Sequence, residues 1–345
     1  VRLIIDMGTS MLDKILLAHG AGGRATHELV RKFFLSFFSN EVLQALDDAA
    51  VLNVDERRLA FTIDAYVVDP LFFPGGDIGK LALCGTVNDL SVMGAKPLGI
   101  GVAFILEEGF PGEELQKITF SLSQMAKEVG VWVVTGDTKV VPKGTSHGLF
   151  LITSGIGLIE EGLFLSGSRA RPKDVVIVSG PIGDHEAAVI LARGEFAIEG
   201  DLKSDCAPLW DLVRSILKVT KNIHVMRDPT RGGLATTLWE IAQSSKVGIL
   251  IEEESIPVRR EVLALCELLG FDPYYLASEG RLVVIAPEEE GERILSVMRQ
   301  HPLGKEAKII GRVIEENPGR VLLKTKIGGH RLLEPLMGSQ FPRIC

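Results

Sequence analysis

Two rounds of alternating strand-like and helix-like segments, split by the charged, turn-rich stretch 166–174, limit what this chain can fold into. In the first round, apolar runs at 58–68, 98–106 and 131–135 and a strand pair at 148–159 alternate with helical patterns at 78–95 and 112–130. The second round opens at 175–180. Its periodicity predicts helices at 184–193, 204–219, 233–245, 258–269 and 288–299, with strands near 248–252, 281–286, 307–314 and 320–324. Strands interleaved with helices predict an α/β (α+β) architecture, and 345 residues suffice for two such domains. One more helix is predicted at 26–38, capped by Thr26, with Leu29, Val30, Phe33, Phe34 and Phe37 as its apolar stripe. From 328 onward the chain is rich in Gly and Pro without periodicity, as in a tail with little regular structure. The expected organisation is an amino-terminal segment with a Gly-rich loop at 1–45, a first domain at 46–165, a carboxy-terminal domain at 166–330, and a flexible tail at 331–345.

Composition narrows the class. A hydrophobic fraction of 46% with 24% charged residues supports a full core and excludes global disorder. Forty-five acidic against 37 basic side chains leave a net charge of −8, the wrong sign for non-specific nucleic-acid binding. Apolar runs such as 100–106 and 175–178 fall far short of the roughly 18 residues a membrane helix needs. Residues 1–23 mix acids into their apolar stretch and lack a signal-peptide layout, so a soluble cytoplasmic protein is expected. Cys84, Cys206, Cys266 and Cys345 are widely spaced without a C-x-x-C pair, which points to neither a disulfide framework nor a zinc knuckle.

Chemistry is suggested first by acids in apolar surroundings. Asp64 ends the run 60–63, Asp89 sits mid-helix beside Asn88, Asp137 follows Thr135 and Gly136, and Asp47 and Asp48 precede Ala49. Carboxylates at strand ends and on one helix can converge on Mg2+, a hard cation that prefers oxygen ligands and accompanies phosphates. Any single Asp is more simply a cap or turn residue; as a group they are harder to dismiss, because Asp is a poor helix former at a position such as 89. Two glycine-rich pieces precede helical segments. One contains Gly22, Gly23 and Arg24, the other Thr230 and Arg231, and helix amino-termini bind phosphates through free N–H groups. Neither has Walker or Rossmann spacing, and each alone reads as a turn.

Lys139, two residues beyond Asp137, could neutralise phosphate charge or move a proton, though a solvated surface lysine is the simpler role. Glu279 immediately precedes a buried-looking strand, where partial desolvation would suit a base. Cys345 stands at the end of the Gly/Pro tail, poor packing material but a suitable nucleophilic carrier on a swinging tether.

Together these residues resemble the HypE family of hydrogenase maturation factors. That family shares a superfamily with aminoimidazole ribonucleotide synthetase, selenophosphate synthetase and thiamine-monophosphate kinase. The resemblance runs from the segment 19–24 through 61–64, 85–90, 135–139 and 228–233 to the ending Pro342-Arg343-Ile344-Cys345, the part specific to HypE. It implies a two-domain synthetase-like protein that dimerises through its amino-terminal domains and binds ATP and Mg2+ near that interface. By the same resemblance, Gly22, Gly23, Arg24, Asp64, Asn88, Asp89, Thr135, Gly136, Asp137, Thr230 and Arg231 would hold nucleotide. Asp48, Asp64, Asp89 and Asp137 would hold metal. It further implies that a carbamoyltransferase, HypF, loads a carbamoyl group onto Cys345. ATP-dependent dehydration, with Glu279 as base and Lys139 assisting, then gives a thiocyanate. The cyano group passes to the HypC–HypD complex for the iron of [NiFe]-hydrogenase. The competing readings are a small-molecule kinase or synthetase using the same ATP site, and a non-catalytic scaffold whose Cys345 binds a partner or metal.

Overall fold

In the computed structural model, which describes residues 14–38, 40–195, 200–336, 338 and 340–345, each round of elements builds its own sheet. The first round runs α1 (Arg24–Leu29), α2 (Leu35–Phe38), β1 (Ala50–Val54), β2 (Arg57–Tyr66), β3 (Phe72–Phe73), β4 (Gly76–Asp77), α3 (Ile78–Val92), β5 (Ala95–Glu107), α4 (Gly112–Val129), β6 (Trp132–Val141) and β7 (Leu149–Ile159). Five strands pair in the order β1-β2-β7-β5-β6, antiparallel except for β5 with β6. Alternation along β2 sends Ala60, Thr62, Asp64 and Tyr66 to the face covered by α3, and leaves Phe61 and Ile63 exposed on the other. Trp132, Val134 and Val140 of the edge strand β6 are exposed as well.

Helix α3 is buried on nearly every side, because it lies between this sheet and the second half of the chain. Asp77 starts it, accepting the N–H groups of Gly79 at 2.7 Å and Lys80 at 3.1 Å. Such a helix can carry residues to the junction of the halves.

The second round comprises β8 (Val175–Val178), α5 (Asp184–Arg193), α6 (Trp210–Leu217), β9 (Val225–Arg227), α7 (Gly233–Ser245), β10 (Gly248–Glu252), α8 (Arg260–Leu269), β11 (Val283–Ala286), α9 (Glu288–Gln300), β12 (Lys308–Ile314), β13 (Val321–Lys324) and β14 (His330–Leu333). Its seven strands pair in the order β14-β13-β10-β12-β8-β11-β9. The unbroken apolar runs of β8 and β11 are buried on both faces. No helix among the described residues is long and apolar enough to cross a membrane. Residues 1–13, on which part of the expectation about a leader rests, lie outside the described residues.

Several predicted elements differ. The 148–159 pair is one strand, β7. The 204–219 helix starts only at Trp210, since Pro208 breaks the pattern and the main chain of Ala207 and Leu209 bonds to Asn88. The helix expected at 26–38 begins at Arg24 with Gly23 as its cap and passes through a π-helical turn at Val30–Phe34. Thr26 lies inside it and accepts the Gly22 N–H at 2.9 Å, while Phe33, Phe34 and Phe37 of the stripe are exposed. Strand β6 runs on through Val141, so residues 135–139 are strand and not the loop after it. The expected tail begins inside β14, which pairs with β13.

Candidate active site

Ligand oxygens of Asp48, Asp89 and Asp228 lie within 4.8 Å of one another. Three elements deliver them: the turn before β1, the middle of α3, and the turn after β9. Asp64, on the helix-facing side of β2, stands beside them and accepts the Thr86 hydroxyl at 3.0 Å. Thr62 on the same face donates to Asp89 at 2.7 Å. Arg227 neutralises part of this charge through Asp48 at 2.7 Å and Glu240 at 2.7 Å. Burial raises all four carboxyls, and their mutual repulsion raises Asp89 and Asp48 further. Asp228 is pushed up by burial to about 6. Its Oδ2 is buried with no hydrogen-bond partner among the described residues. Packed carboxylates with an orphaned oxygen fit a hard divalent cation.

The halves meet beside this cluster. Asn88, one residue before Asp89, donates to the carbonyls of Ala207 and Glu279, both at 3.1 Å, and accepts the Leu209 N–H at 2.7 Å. Its amide is therefore committed to joining the halves, not turned toward a ligand. Glu279 is buried next to this joint, and its Oε1 has no hydrogen-bond partner among the described residues. Burial holds its carboxyl well above the usual range, with Cys206, Asp228 and Asp205 adding to the rise and Arg231 opposing it. A carboxylate so placed is a proton acceptor of raised basicity. At Gly280 an added Cβ would fall 1.9 Å from the Asp205 carbonyl, so only glycine allows the two segments to approach this closely.

Across the cleft, Gly22 is left-handed at φ +76°, and a Cβ on Gly23 would meet the Leu336 carbonyl at 2.3 Å. The Arg24 N–H donates to that carbonyl at 2.7 Å. These glycines serve a close approach between the loop and the last segment of the chain, and two of the amides expected to cradle an anion are already bonded. Arg24 is exposed and pairs with Glu28. Arg231 donates to the Gly20 carbonyl at 2.9 Å, and the Thr230 carbonyl receives Gly233 N–H at 2.8 Å at the start of α7.

The chain end docks into this junction. Cys345, Arg231 and Glu186 line a cavity of about 180 Å³. A main-chain oxygen of Cys345 accepts Val67 N–H at 3.2 Å, which sets the last residues alongside the segment after β2. Burial pushes the Cys345 thiol up to about 12, with Arg231 pulling it down and Glu279, Glu186 and Asp64 adding to the rise. In this position the sulfur is a neutral thiol among groups that could act on its cargo.

Models of the amino- and carboxy-terminal domains of AIR synthase related proteins match residues 46–159 and 171–324. Carbamoyl dehydratase HypE of Rhodobacter capsulatus is 48% identical over 335 residues, 96% of this chain and 98% of that protein. The chain belongs to the HypE family of carbamoyl dehydratases. Among solved structures, HypE in a HypE–HypF complex is 46% identical with a TM-score of 0.85, covering 89% of this chain and 99% of that one. HypE in complex with ATP is 46% identical with a TM-score of 0.81, covering 96% and 100%.

Not every residue singled out for HypE-type chemistry gathers here. Asp137 and Lys139 pair with each other at 2.7 Å on β6, both mostly exposed, and Lys139 holds the Asp137 carboxyl below its ordinary value. With Thr135 and Gly136 they stand on the edge strand, apart from the carboxylate cluster of their own chain. Conversely, Asp228 belongs to the cluster although only its neighbours Thr230 and Arg231 were singled out. It opens the same Asp-Pro-Thr-Arg-Gly-Gly stretch, which was the available signal. Glu186 and His185, mid-sequence acids and bases with no spacing to mark them, are recognisable only from the docked chain end.

Proposed function

We propose that this dehydratase converts a carboxamide carried on the Cys345 thiol into a thiocyanate, using ATP, and so supplies the cyanide ligand of the [NiFe]-hydrogenase iron. The observation that carries the reading is the docked, buried Cys345, lining one cavity with Arg231 and under the electrostatic influence of Glu279 and Asp64, which stands beside the carboxylate cluster. The relatives solved with ATP and with HypF support ATP as co-substrate and a HypF-type carbamoyltransferase as donor. A HypC–HypD-type complex would accept the product.

The chemistry follows from the leaving group. A carboxamide oxygen does not depart as hydroxide at neutral pH. Its attack on the γ-phosphorus of ATP forms an O–P bond as the bond to ADP breaks, and the nitrogen loses a proton to give an O-phosphoryl imidate. Removal of the second nitrogen proton, with cleavage of the C–O bond, releases phosphate and leaves the nitrile on sulfur. Glu279, buried and of raised basicity, is the base for the nitrogen. Arg231 stabilises charge on the transferring group, and the buried setting of Cys345 limits the access of water to the imidate. Asp48, Asp64, Asp89 and Asp228 would hold Mg2+, which when bound neutralises the phosphates.

The exposed apolar face bearing Phe61, Ile63, Trp132 and Val134 fits a homodimer joined through the amino-terminal sheets. In that arrangement Thr135, Gly136, Asp137 and Lys139 serve an ATP site shared between protomers, with Lys139 assisting transfer. The test is isotopic. If the carbamoyl oxygen is labelled with heavy oxygen, the label appears in the released phosphate; phosphate free of label would sink the phosphorylation route.

A further inference from the structure

The last residues are held mainly through their main chain, by residues 67–69 on one side, where Arg343 donates to the Val67 carbonyl at 3.0 Å and pairs with Asp69 at 3.2 Å, and by two side chains of one helix on the other. Arg193, the last residue of α5, donates from Nη2 to the carbonyls of Pro342 at 2.6 Å and Arg343 at 2.7 Å. Its Nε donates to the Asp69 carbonyl at 2.6 Å, and its guanidinium lies 4.4 Å from the centroid of the Phe341 ring. At the other end of α5, His185 Nε2 lies 3.0 Å from the Ile344 carbonyl, and its Nδ1 lies 2.8 Å from the Ser204 hydroxyl. Burial keeps this imidazole neutral, with its pKa lowered to about 4. Its one N–H then donates from Nε2 to the carbonyl, while Nδ1 accepts from Ser204. Three consecutive carbonyls, 342 to 344, are thus taken by two side chains of α5, with Asp69 N–H also donating to that of Arg343 at 3.2 Å, and a main-chain oxygen of Cys345 accepts Val67 N–H.

We infer that α5 is the latch of the carrier segment: Arg193 and His185 are positioning residues that set how long Cys345 stays docked, whatever its sulfur carries. This deepens the proposed function and rests on it for its consequence. Main-chain carbonyls are the same in the free, carbamoylated and cyanated forms, so the latch does not discriminate among them. Selection by cargo is left to the cavity around the sulfur. The guanidinium bridges two separate strands of chain, the Asp69 carbonyl on one side and the tail on the other, so it ties the tail to the body without touching the sulfur. A latch of this kind has opposite effects on the two half-reactions. Loosening it exposes the thiol to the carbamoyl donor and speeds loading, while it lowers the docked fraction and slows dehydration.

The experiment is site-resolved alkylation of the full chain with iodoacetamide, followed by peptide mass spectrometry, without ATP or carbamoyl donor. Cys84, Cys206 and Cys266 are buried and serve as internal reporters of the intact fold. Loss of charge-assisted hydrogen bonds in Arg193→Ala is expected to raise the Cys345 rate roughly tenfold or more with the other three thiols unchanged. His185→Ala raises it too, and His185→Gln, which keeps a donor, restores protection. A Cys345 rate equal to wild type in Arg193→Ala overturns the latch. If that variant exposes all four thiols, Arg193→Lys decides, since it must raise the Cys345 rate alone, and no increase overturns the proposal. Failure here leaves the dehydratase reading standing, whereas a protected thiol that is loaded yet never dehydrated would defeat that reading and spare the latch.

Discussion

Replacing Asp228 by Asn removes one buried negative charge from the cluster while keeping its shape. In the folded chain burial raises the Asp228 carboxyl from an ordinary 3.8 to about 6. A carboxyl raised on folding binds protons more tightly in the native state. Its ionisation therefore opposes folding, an effect absent below about pH 4 and fully developed above pH 6. Holding it ionised at pH 7.5 without a cation costs on the order of 3 kcal/mol. Asp228→Asn should then be more stable than wild type at pH 7.5 in chelator, and close to wild type at pH 4. Urea unfolding followed by circular dichroism at both pH values measures this. Added Mg2+ should stabilise the wild type at pH 7.5 and the variant much less, because the variant lacks one ligand and the repulsion that favours binding. A variant less stable than wild type in chelator at pH 7.5, or one that gains as much from Mg2+, would refute the assignment of these carboxylates as a cation site.

Three further outcomes follow from the same geometry. Glu279→Gln should retain ATP binding and the fold but lower dehydration about 100-fold or more, read by mass spectrometry of the Cys345 peptide. Asn88→Ala breaks three hydrogen bonds to the main chain of the second half and should cost about 2–4 kcal/mol in urea unfolding, with no gain in ATP affinity to offset it. Ile63→Glu, on the exposed face of β2, should yield a folded monomer by light scattering. That monomer should bind ATP weakly, because Asp137 and Lys139 are then supplied by no second protomer.

Most of the architecture was legible because hydrophobic periodicity is local. The α5, α7 and β10 boundaries match the pattern residue for residue, and α9 and β12 lie within one. The pattern failed where distant chain competes. Residues 204–209 carry a helical rhythm, but their backbone groups bond to Asn88, more than a hundred residues earlier. Strands β1, β9 and β14 lie at sheet edges, where fewer of their residues need be apolar, and each is held by pairing with a single partner strand. At the site, the convergence of Asp48, Asp64 and Asp89 could be suspected from acids in apolar runs. Asp228 joins them from the other half through a turn that the sequence marks only with Pro and Gly. The role of α5 is invisible in sequence, since Arg193 and His185 recognise carbonyls that every residue possesses.

In the proposed reaction, Cys345 carries the group whose oxygen ATP removes. Intact-mass analysis of the full chain, incubated with a HypF-type donor, carbamoyl phosphate and ATP, tests it directly. Cys345 is expected first to gain a carbamoyl group and then to lose one water, the second change occurring only with hydrolysable ATP and not in Cys345→Ser. Loss of water without a hydrolysable nucleotide, or an equal yield of nitrile from the serine variant, would contradict it.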